Sequence, residues 1–499
     1  GLAAKKTTTA TTTTAKKTTT TPAKKAAPKP KKPAPSYIGN WTKPWLIQHA
    51  VNSDLLPPQM AVTAKGGLGI SSGTTDENNT YVAKANLTTG NYSRAKFGSR
   101  QVVPGAQQTF GANYRGSSLH LLTGDSPSGA SCCSTAGIQT TSGNGQFGTV
   151  QPLARGLYGN SAGAMTVVHS GMLATIANQA GIWVSRSNGS KYGTPSQLVG
   201  PQTSGPLMAA SPLHNGGAVI AWTAPSSGSP PGVGSSPISP TAPTTTSTTS
   251  SANAVVNNKP QLIYYSVAPA GTGALPGRPK LAIRVPANKQ IDALSIAEHG
   301  SGATAAWTES WWSSNGTYAS QAYWADLAGG ATKAHAISAV SHAATGISIA
   351  SGGSGRQSLT WQACTSATAT CDTAAALRPH GKNWGPTSDL GAVDPQSFPT
   401  TAASSDGSLI GWISNGNVYA SSAAPTSTTF NPPRLLSKAG DSNGMQIEYA
   451  NSNTALATWQ ESYTHPILVG ARFNALAKPP AAPKPKTTTT ATKTTTTKK

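Results

Sequence analysis

A short motif that recurs along the chain constrains the fold more than any other feature. In each copy an aromatic or apolar residue precedes an apolar residue by six positions, often with Gly or Pro between them. The copies begin at Phe97, Phe147, Tyr192, Trp384 and Phe430, with weaker copies at Leu275 and Ala331. Most steps between neighbours are roughly 45–55 residues, the period of a four-stranded propeller blade. The repeat therefore predicts an all-β propeller; the alternative is a set of stacked β-sandwiches.

A second motif runs in phase with the first. Tryptophans end similar apolar runs at Trp222, Trp307, Trp361, Trp412 and Trp459. Each run lies upstream of the outer motif of its own unit, so it is expected to be a largely buried second strand. Short strand-like runs before and after it complete a unit of four strands.

The two ends of the repeat region complement each other. The last unit has no outer strand after Phe473, whereas the segment 41–47 near the other end repeats the outer motif, with Pro44 in the place of Pro195 and Pro433. A propeller must pair its terminal edges or leave a strand exposed. We therefore predict a single propeller of eight blades closed by the N-terminal strand, or of seven if one weak copy is not a strand.

Charge and composition divide the chain into three parts. Residues 1–36 carry nine Lys and residues 477–499 carry six, with no acidic residue in either tail. The tails thus hold +15 of the net charge of +22 and leave +7 for the body. Apolar side chains are too few in the tails to offset the entropy of ordering them. We predict disordered tails at 1–36 and 477–499, a propeller at 37–476, and a disordered Pro/Ser/Thr-rich insertion at 224–258.

The cysteines indicate the redox conditions of the compartment in which the protein is found. Cys364 and Cys371 flank a short loop between a second and a third strand, where antiparallel neighbours come within bridging distance. This pair predicts a hairpin disulfide and an oxidising environment. Cys132 and Cys133 are adjacent and either form a vicinal bridge or stay free.

With no run of 18 apolar residues, no membrane span is expected. The start at Gly1 is interpreted as a mature product without its signal peptide, or as a fragment, and the expected location is extracellular or cell-wall associated.

The turns before two outer motifs resemble those of the BNR/sialidase-like propeller superfamily. The segment 185–192 keeps the Ser, the Gly and the aromatic residue of the family turn, and His380-Gly381-Lys382-Asn383-Trp384 keeps the Gly and the Trp. No copy keeps the family's Asp, and the Arg-Ile-Pro segment of sialidases is absent from the sequence. The resemblance therefore implies the architecture and does not transfer a catalytic residue.

In a propeller, the loops between second and third strands share one face with the connections between blades, and candidate site residues fall there. Glu309 and Glu461 are the candidate catalytic acids, because two carboxylates about 5–10 Å apart can hydrolyse a glycosidic bond. Repeat symmetry alone also explains them, since a strand that ends in Trp-x-Glu can cap its own sheet. The candidate ligand-binding residues are Trp311, Trp312, Tyr463, His465, Asp76, Glu77 and Asp125.

These features leave open what the propeller does. The first hypothesis is a secreted or cell-surface binding or adhesion module that recognises cell-wall or extracellular glycans. The second is a secreted glycoside-processing enzyme of sialidase-like fold. The third is binding of nucleic acid or an acidic polymer through the tails, which otherwise serve as spacers. No nucleotide-binding or nucleophile motif occurs, and His, Cys and acidic residues do not cluster at ligand spacing. No metal or cofactor is therefore expected.

Overall fold

A computed structural model gives the fold. It describes residues 39–475 apart from 49–55, 57, 64–66, 74–78, 87–95, 98–100, 105, 107, 126–134, 142–144, 156–161, 170, 179, 190, 202–205, 226–259, 272, 328–331, 342, 366–370 and 462–466. These residues form strands and turns and contain no helix. They build eight antiparallel sheets, each of which is one blade.

Each blade is a meander of neighbouring strands in chain order. Blade one contains β3 (Gln59–Val62), β4 (Gly67–Gly73), β5 (Asn79–Asn86), β6 (Lys96–Phe97) and β7 (Gln101–Pro104). Blade two contains β8 (Gln108–Arg115), β9 (Ser118–Asp125), β10 (Thr135–Thr140) and β11 (Gln151–Arg155). Blade three contains β12 (Ala162–Val168), β13 (Gly171–Asn178), β14 (Gly181–Asn188), β15 (Lys191–Tyr192) and β16 (Ser196–Val199). Blade four contains β17 (Met208–Pro212), β18 (Ala218–Pro225), β19 (Gln261–Ala268) and β20 (Lys280–Val285).

The second half of the ring repeats this plan. Blade five contains β21 (Lys289–His299), β22 (Gly302–Trp312), β23 (Tyr318–Asp326) and β24 (His335–Ala336). Blade six contains β25 (Ala343–Ser351), β26 (Gln357–Cys364), β27 (Cys371–Arg378) and β28 (Ser388–Val393). Blade seven contains β29 (Thr400–Ser404), β30 (Gly407–Ser414), β31 (Asn417–Ala423) and β32 (Arg434–Ser437). Blade eight contains β33 (Asn443–Tyr449), β34 (Thr454–Glu461) and β35 (Ile467–Asn474), together with β1 (Asn40–Trp41) and β2 (Trp45–Gln48).

The blades form a closed ring around their first strands. The first strand of each blade contacts the first strands of both neighbouring blades, and β33 of blade eight contacts β3 of blade one. The predicted eight-bladed propeller is confirmed, and the seven-bladed alternative is wrong because both weak copies of the outer motif supply strands, β20 and β24.

The N-terminal segment closes the last blade as predicted. Trp41 pairs with Phe473, and Trp45 pairs with Gly470, so β1 and β2 both add to β35. The rings of Trp41 and Phe473 lie 5.2 Å apart, and both side chains are buried. This pairing removes the free edge that β35 would otherwise expose.

Tryptophans of five second strands pack in the core between neighbouring blades, from the junction of blades three and four to that of blades seven and eight. All five of them are 0–2% exposed. Three of them stack on a tyrosine directly opposite in the third strand, an arrangement that adds to the energy of simple burial. The stacked pairs are Trp222–Tyr264, Trp307–Tyr323 and Trp412–Tyr419, with ring centroids 5.8–6.1 Å apart.

Two local predictions are settled by the pairing of strands. Cys364 and Cys371 face each other across β26 and β27 and form the predicted disulfide. The insertion predicted from residue 224 starts later, because Ala224 is buried and pairs with Leu262 within a strand that continues to Pro225. The rest of the insertion, both tails, Cys132 and Cys133 lie outside the described residues.

Candidate functional site on blade five

The strand order places the candidate residues of blade five on one face of the ring. Because consecutive strands are antiparallel, the end of β22, the start of β23 and the start of β21 share the face that carries the connections between blades. We call this the upper face. Side chains alternate along β22, so Trp307, Glu309 and Trp311 point towards blade four, and Ser310 and Trp312 point towards blade six.

Glu309 is tied into the blade by its neighbours. Its carboxylate accepts a hydrogen bond from the Trp307 indole at 2.8 Å and forms an ion pair with Lys289 Nζ at 2.9 Å, and its side chain is 4% exposed. The same ammonium donates to Tyr323 Oη at 3.0 Å and lies 4.2 Å from the centre of the Trp311 ring. Burial alone would lower the pKa of Lys289, but the hydrogen bonds to Tyr323 and Glu309 and the charge of Glu309 raise it. Glu309 thus provides an acceptor for a buried indole N–H and a counter-charge for the Lys289 ammonium, which lies between the Trp311 and Tyr323 side chains.

Glu461 is likewise tied to the tryptophan two residues before it, and also to a serine of blade seven. Its Oε1 accepts hydrogen bonds from the Trp459 indole at 2.7 Å and from Ser437 Oγ at 2.5 Å. Glu461 belongs to blade eight and Glu309 to blade five, with blades six and seven between them. The two acids are therefore not brought together as a pair. Each accepts a hydrogen bond from the indole N–H of the tryptophan two residues before it. Where that position is Ala224, the buried indole nitrogen of Trp222 has no partner.

The adjacent tryptophans diverge. Trp311 is half-buried beneath Lys289, whereas Trp312 is 46% exposed. Trp312 pairs across the hairpin with Tyr318, and their rings meet edge to face at 5.2 Å. The turn between them is held by Asn315, which accepts a hydrogen bond from Thr317 N at 3.1 Å, and by Gly316 at φ +76°. A glycine tolerates this left-handed backbone where other residues are strained, so the turn presents the two rings in a fixed arrangement.

Asp292 is the residue at this site that the sequence patterns missed. It lies at a bulge of β21, since Ile291 pairs with Glu309 and Ala293 pairs with Thr308. Burial, with added repulsion from Glu309, raises the pKa of Asp292 to about 6, although a hydrogen bond with Ser310 opposes the shift. Its Oδ2 is buried without a hydrogen-bond partner. The signal in the sequence was an acidic residue directly before the apolar stretch 293–297 of the first strand.

Of the remaining predicted site residues, the structure describes the backbone of one and none of the others. Asp125 ends β9 at the upper face of blade two, but its side chain is outside the described residues. Asp76, Glu77, Tyr463 and His465 also lie outside the described residues. Among the residues that are described, no three His, Cys, Asp or Glu side chains form a group that could hold a metal ion. Within the same part of the chain, no helix is long and apolar enough to cross a membrane.

Comparisons with known proteins assign no family to this chain. No family model matches the chain, and no curated protein matches it. Solved structures with a similar fold include the polysaccharide lyase Uly1, with 8% identity over 78% of this chain and 94% of the lyase at a TM-score of 0.47. The α-L-arabinanase of Penicillium chrysogenum has 8% identity over 87% of this chain and 99% of its own at 0.42. The Hadza microbial sialidase Hz136 has 12% identity over 87% and 98% at 0.37.

These likenesses, all with TM-scores below 0.5, give no residue of this chain a role. The two turns that resemble the sialidase pattern do join third and fourth strands, at Gly189 in blade three and Gly381 in blade six. Both glycines have positive φ, and in blade three Ser185 Oγ donates to Gly193 O at 2.8 Å across the turn. The turns thus shape the outer strands and lie opposite the upper face.

Proposed function

We propose that this protein binds a carbohydrate on the upper face of blade five, with Trp312 as the stacking platform and without cleaving the sugar. The supporting observation is the exposure of Trp312, the one aromatic side chain among the large exposed hydrophobic residues of the described chain. A flat ring with a polar edge suits the apolar face of a pyranose, and tryptophan often dominates the energy of a binding surface.

The hydrogen bonds of the two candidate acids support binding rather than hydrolysis. A glycosidase needs one carboxyl group to protonate the leaving oxygen and a second to attack or to activate water. Glu309 and Glu461 each accept hydrogen bonds from buried or partly buried donors of their own blade. To reach a substrate, either side chain would have to abandon the tryptophan N–H that it satisfies, which is costly in a buried site.

Cleavage is the second candidate function, and one observation favours it. Asp292 and Glu309 are close enough for repulsion to raise the pKa of Asp292. A carboxyl group with a raised pKa beside an ionised one is the pattern of an acid–base pair. The binding experiment below therefore includes a search for products.

The proposal also includes an oxidising compartment for the protein and a tethering or spacing role for its tails. The Cys364–Cys371 disulfide suits an oxidising compartment such as the cell surface. The lysine-rich tails would hold the propeller near an acidic wall polymer, or act as spacers that let it reach its glycan.

A glycan array probed with the full chain tests this proposal, followed by titration calorimetry of Trp312→Ala. We expect the variant to bind at least ~30-fold more weakly, the effect of losing a central aromatic contact. Leu281→Ala is the matched control, because Leu281 is 45% exposed against 46% for Trp312 but lies on the outer strand of blade four. Equal binding by Trp312→Ala and the wild type would refute the proposed platform. Sugar products that disappear in Asp292→Asn would favour the enzyme.

A further inference from the structure

A row of cations, which we call the belt, follows the lower face of the ring. This face lies opposite the upper face and carries the connections from third to fourth strands. In blades one to seven, the sequence between the third and fourth strands contains no Asp or Glu. In blades three to seven, each connection or the first residue after it is basic, and all but the last of these residues are exposed: Lys191, Arg278, Lys280, Lys333, Lys382 and Arg434.

Two cations from neighbouring blades extend the belt to blade two. Lys84 belongs to β5 of blade one, but its Nζ donates to Gly145 O at 2.8 Å, in the third-to-fourth connection of blade two. Arg115, at the end of β8, reaches the corresponding turn of blade three, where a Cβ added to Gly189 would lie 3.9 Å from Arg115 Nη1. Positive charge therefore continues along six successive blades, from two to seven.

The acids of the lower face lie inside the belt or are paired. Among the described side chains there are four of them. Glu298 and Glu448 lie in first strands, and Asp406 lies in the turn between the first and second strands of blade seven. Asp326 ends the third strand of blade five, but Arg378 donates to both of its carboxylate oxygens at 2.9 Å. The belt thus keeps its positive charge.

The upper face has the opposite balance of charge. Among the described side chains it carries six acids against four cations, and the acids are Asp292, Glu309, Asp372, Asp394, Asp441 and Glu461. Most protein surfaces intersperse the two signs of charge, because a row of like charges repels itself. A polyanion bound along the belt would relieve that repulsion in all of these blades at once.

The described chain enters and leaves the ring beside one end of the belt. Asn40 pairs with Asn474 at the lower end of blade eight, and Arg434 of blade seven donates a hydrogen bond to Asn40 Oδ1. The next lysines in the sequence beyond this point are Lys32 on one side and Lys478 on the other. The two lysine-rich segments are therefore joined to the ring on the face that carries the belt.

We propose that the lower face docks the ring on a linear wall polymer of phosphodiester-linked units and leaves the upper face, with Trp312, turned away from that polymer. Each phosphate that is neutralised releases a counterion, so contacts spread over several blades add together. The belt consists of Lys and Arg without an aromatic platform for stacked bases, which favours a wall polymer over single-stranded nucleic acid. This inference concerns a different face from the proposed carbohydrate site and does not depend on it.

Binding of the full chain to linear poly(glycerol phosphate) at several salt concentrations tests the inference. The combined variant Lys191→Gln, Lys333→Gln and Lys382→Gln removes one exposed charge from each of three blades. A flexible polyanion gives a slope of log K against log salt of about −0.7 per contacted phosphate, so the variant should reduce the slope by about 2. At about 0.1 M salt it should bind ~10–100-fold more weakly.

The matched control removes three charges from exposed residues of the upper face, through Arg155→Gln, Arg284→Gln and Lys438→Gln. It should keep the slope and bind within ~3-fold of the wild type. Equal losses in the two variants would show that binding follows total charge, and no loss in either would show that the ring takes no part. Both results would overturn the docking face.

Double-stranded DNA and vesicles of anionic lipid are the alternative partners in the same assay. A reduced slope for the belt variant with DNA or with vesicles, but not with poly(glycerol phosphate), would overturn the choice of a wall polymer.

Lysine acetylation read by mass spectrometry tests the orientation in the unmodified sequence. With poly(glycerol phosphate) bound, we expect Lys191, Lys333 and Lys382 to be protected and Lys438 to react as in the free chain. Protection of Lys438 to the same degree as the belt lysines would contradict the proposed orientation.

Discussion

Replacing Glu309 by alanine distinguishes a structural glutamate from a catalytic one. The change leaves two donors without their acceptor, the buried Trp307 indole and Lys289 Nζ. An orphaned buried donor costs about 1–3 kcal/mol. Because the Lys289 side chain is 20% exposed and keeps its bond to Tyr323, we assign it only about 1 kcal/mol. The expected loss is therefore about 2–4 kcal/mol in the free energy of unfolding.

Thermal unfolding followed by circular dichroism measures this loss. With an unfolding entropy of about 2.1 cal/mol/K per residue, a propeller of roughly 400 residues loses about 1 °C of Tm per kcal/mol, so Glu309→Ala should unfold roughly 2–5 °C earlier. Glu309→Gln should lose less, because its amide oxygen still accepts one bond, and Lys289→Met should partly compensate it. An unchanged Tm together with loss of a sugar-cleaving activity would refute the structural role.

Three further predictions follow from other parts of the ring. Replacing Cys364 and Cys371 by serine opens a closed loop with a sequence separation of seven, so guanidinium unfolding should show a loss of about 2–3 kcal/mol; an unchanged midpoint under oxidising conditions would mean that the bridge does not form. Asp292 has a folded pKa of about 6 against an ordinary 3.8, so the native state binds more protons between these values and stability falls as pH rises through them. Asp292→Asn should therefore match the wild type near pH 4 and exceed it by up to about 3 kcal/mol above pH 6; an equal difference at both values would contradict this reasoning. Gly346→Ala should lower Tm by several degrees, because Gly346 has φ +57° and an added Cβ would lie 2.2 Å from the Phe398 ring; a Tm within 1 °C of the wild type would exclude that clash.

The repeat predicted the blades because each one is specified locally. The outer motif recurs from unit to unit, and the tryptophan run recurs in blades four to eight, where each tryptophan is 0–2% exposed. Burial of so large an apolar side chain is strongly favourable. Closure by the segment around Trp41 could also be predicted, since the missing outer strand of blade eight had one matching segment elsewhere in the sequence.

Bulges are what the periodic pattern could not predict. The outer motif of blade four ends on Leu281, yet Leu281 is 45% exposed and Ile283 is buried. A register shift between Ile263 and Tyr264 in the pairing of β19 with β20 explains this difference, because one extra residue moves the following side chains to the other face. The bulge at Asp292 escaped prediction for the same reason.

The sequence patterns also could not predict which lysine forms an ion pair with Glu309. Lys289 lies 20 positions away in the chain and meets Glu309 only through the pairing of β21 with β22. A Trp-x-Glu motif read alone is compatible with catalysis and with capping; the partners of the carboxylate, which long-range pairing supplies, favour capping.

A crystal structure with the tightest-binding oligosaccharide of the array tests the central claim most directly. We predict a pyranose ring stacked on Trp312, a hydroxyl group within hydrogen-bond distance of Tyr318, and intact glycosidic bonds. A sugar bound on another blade, or a cleaved product beside Asp292 and Glu309, would contradict it.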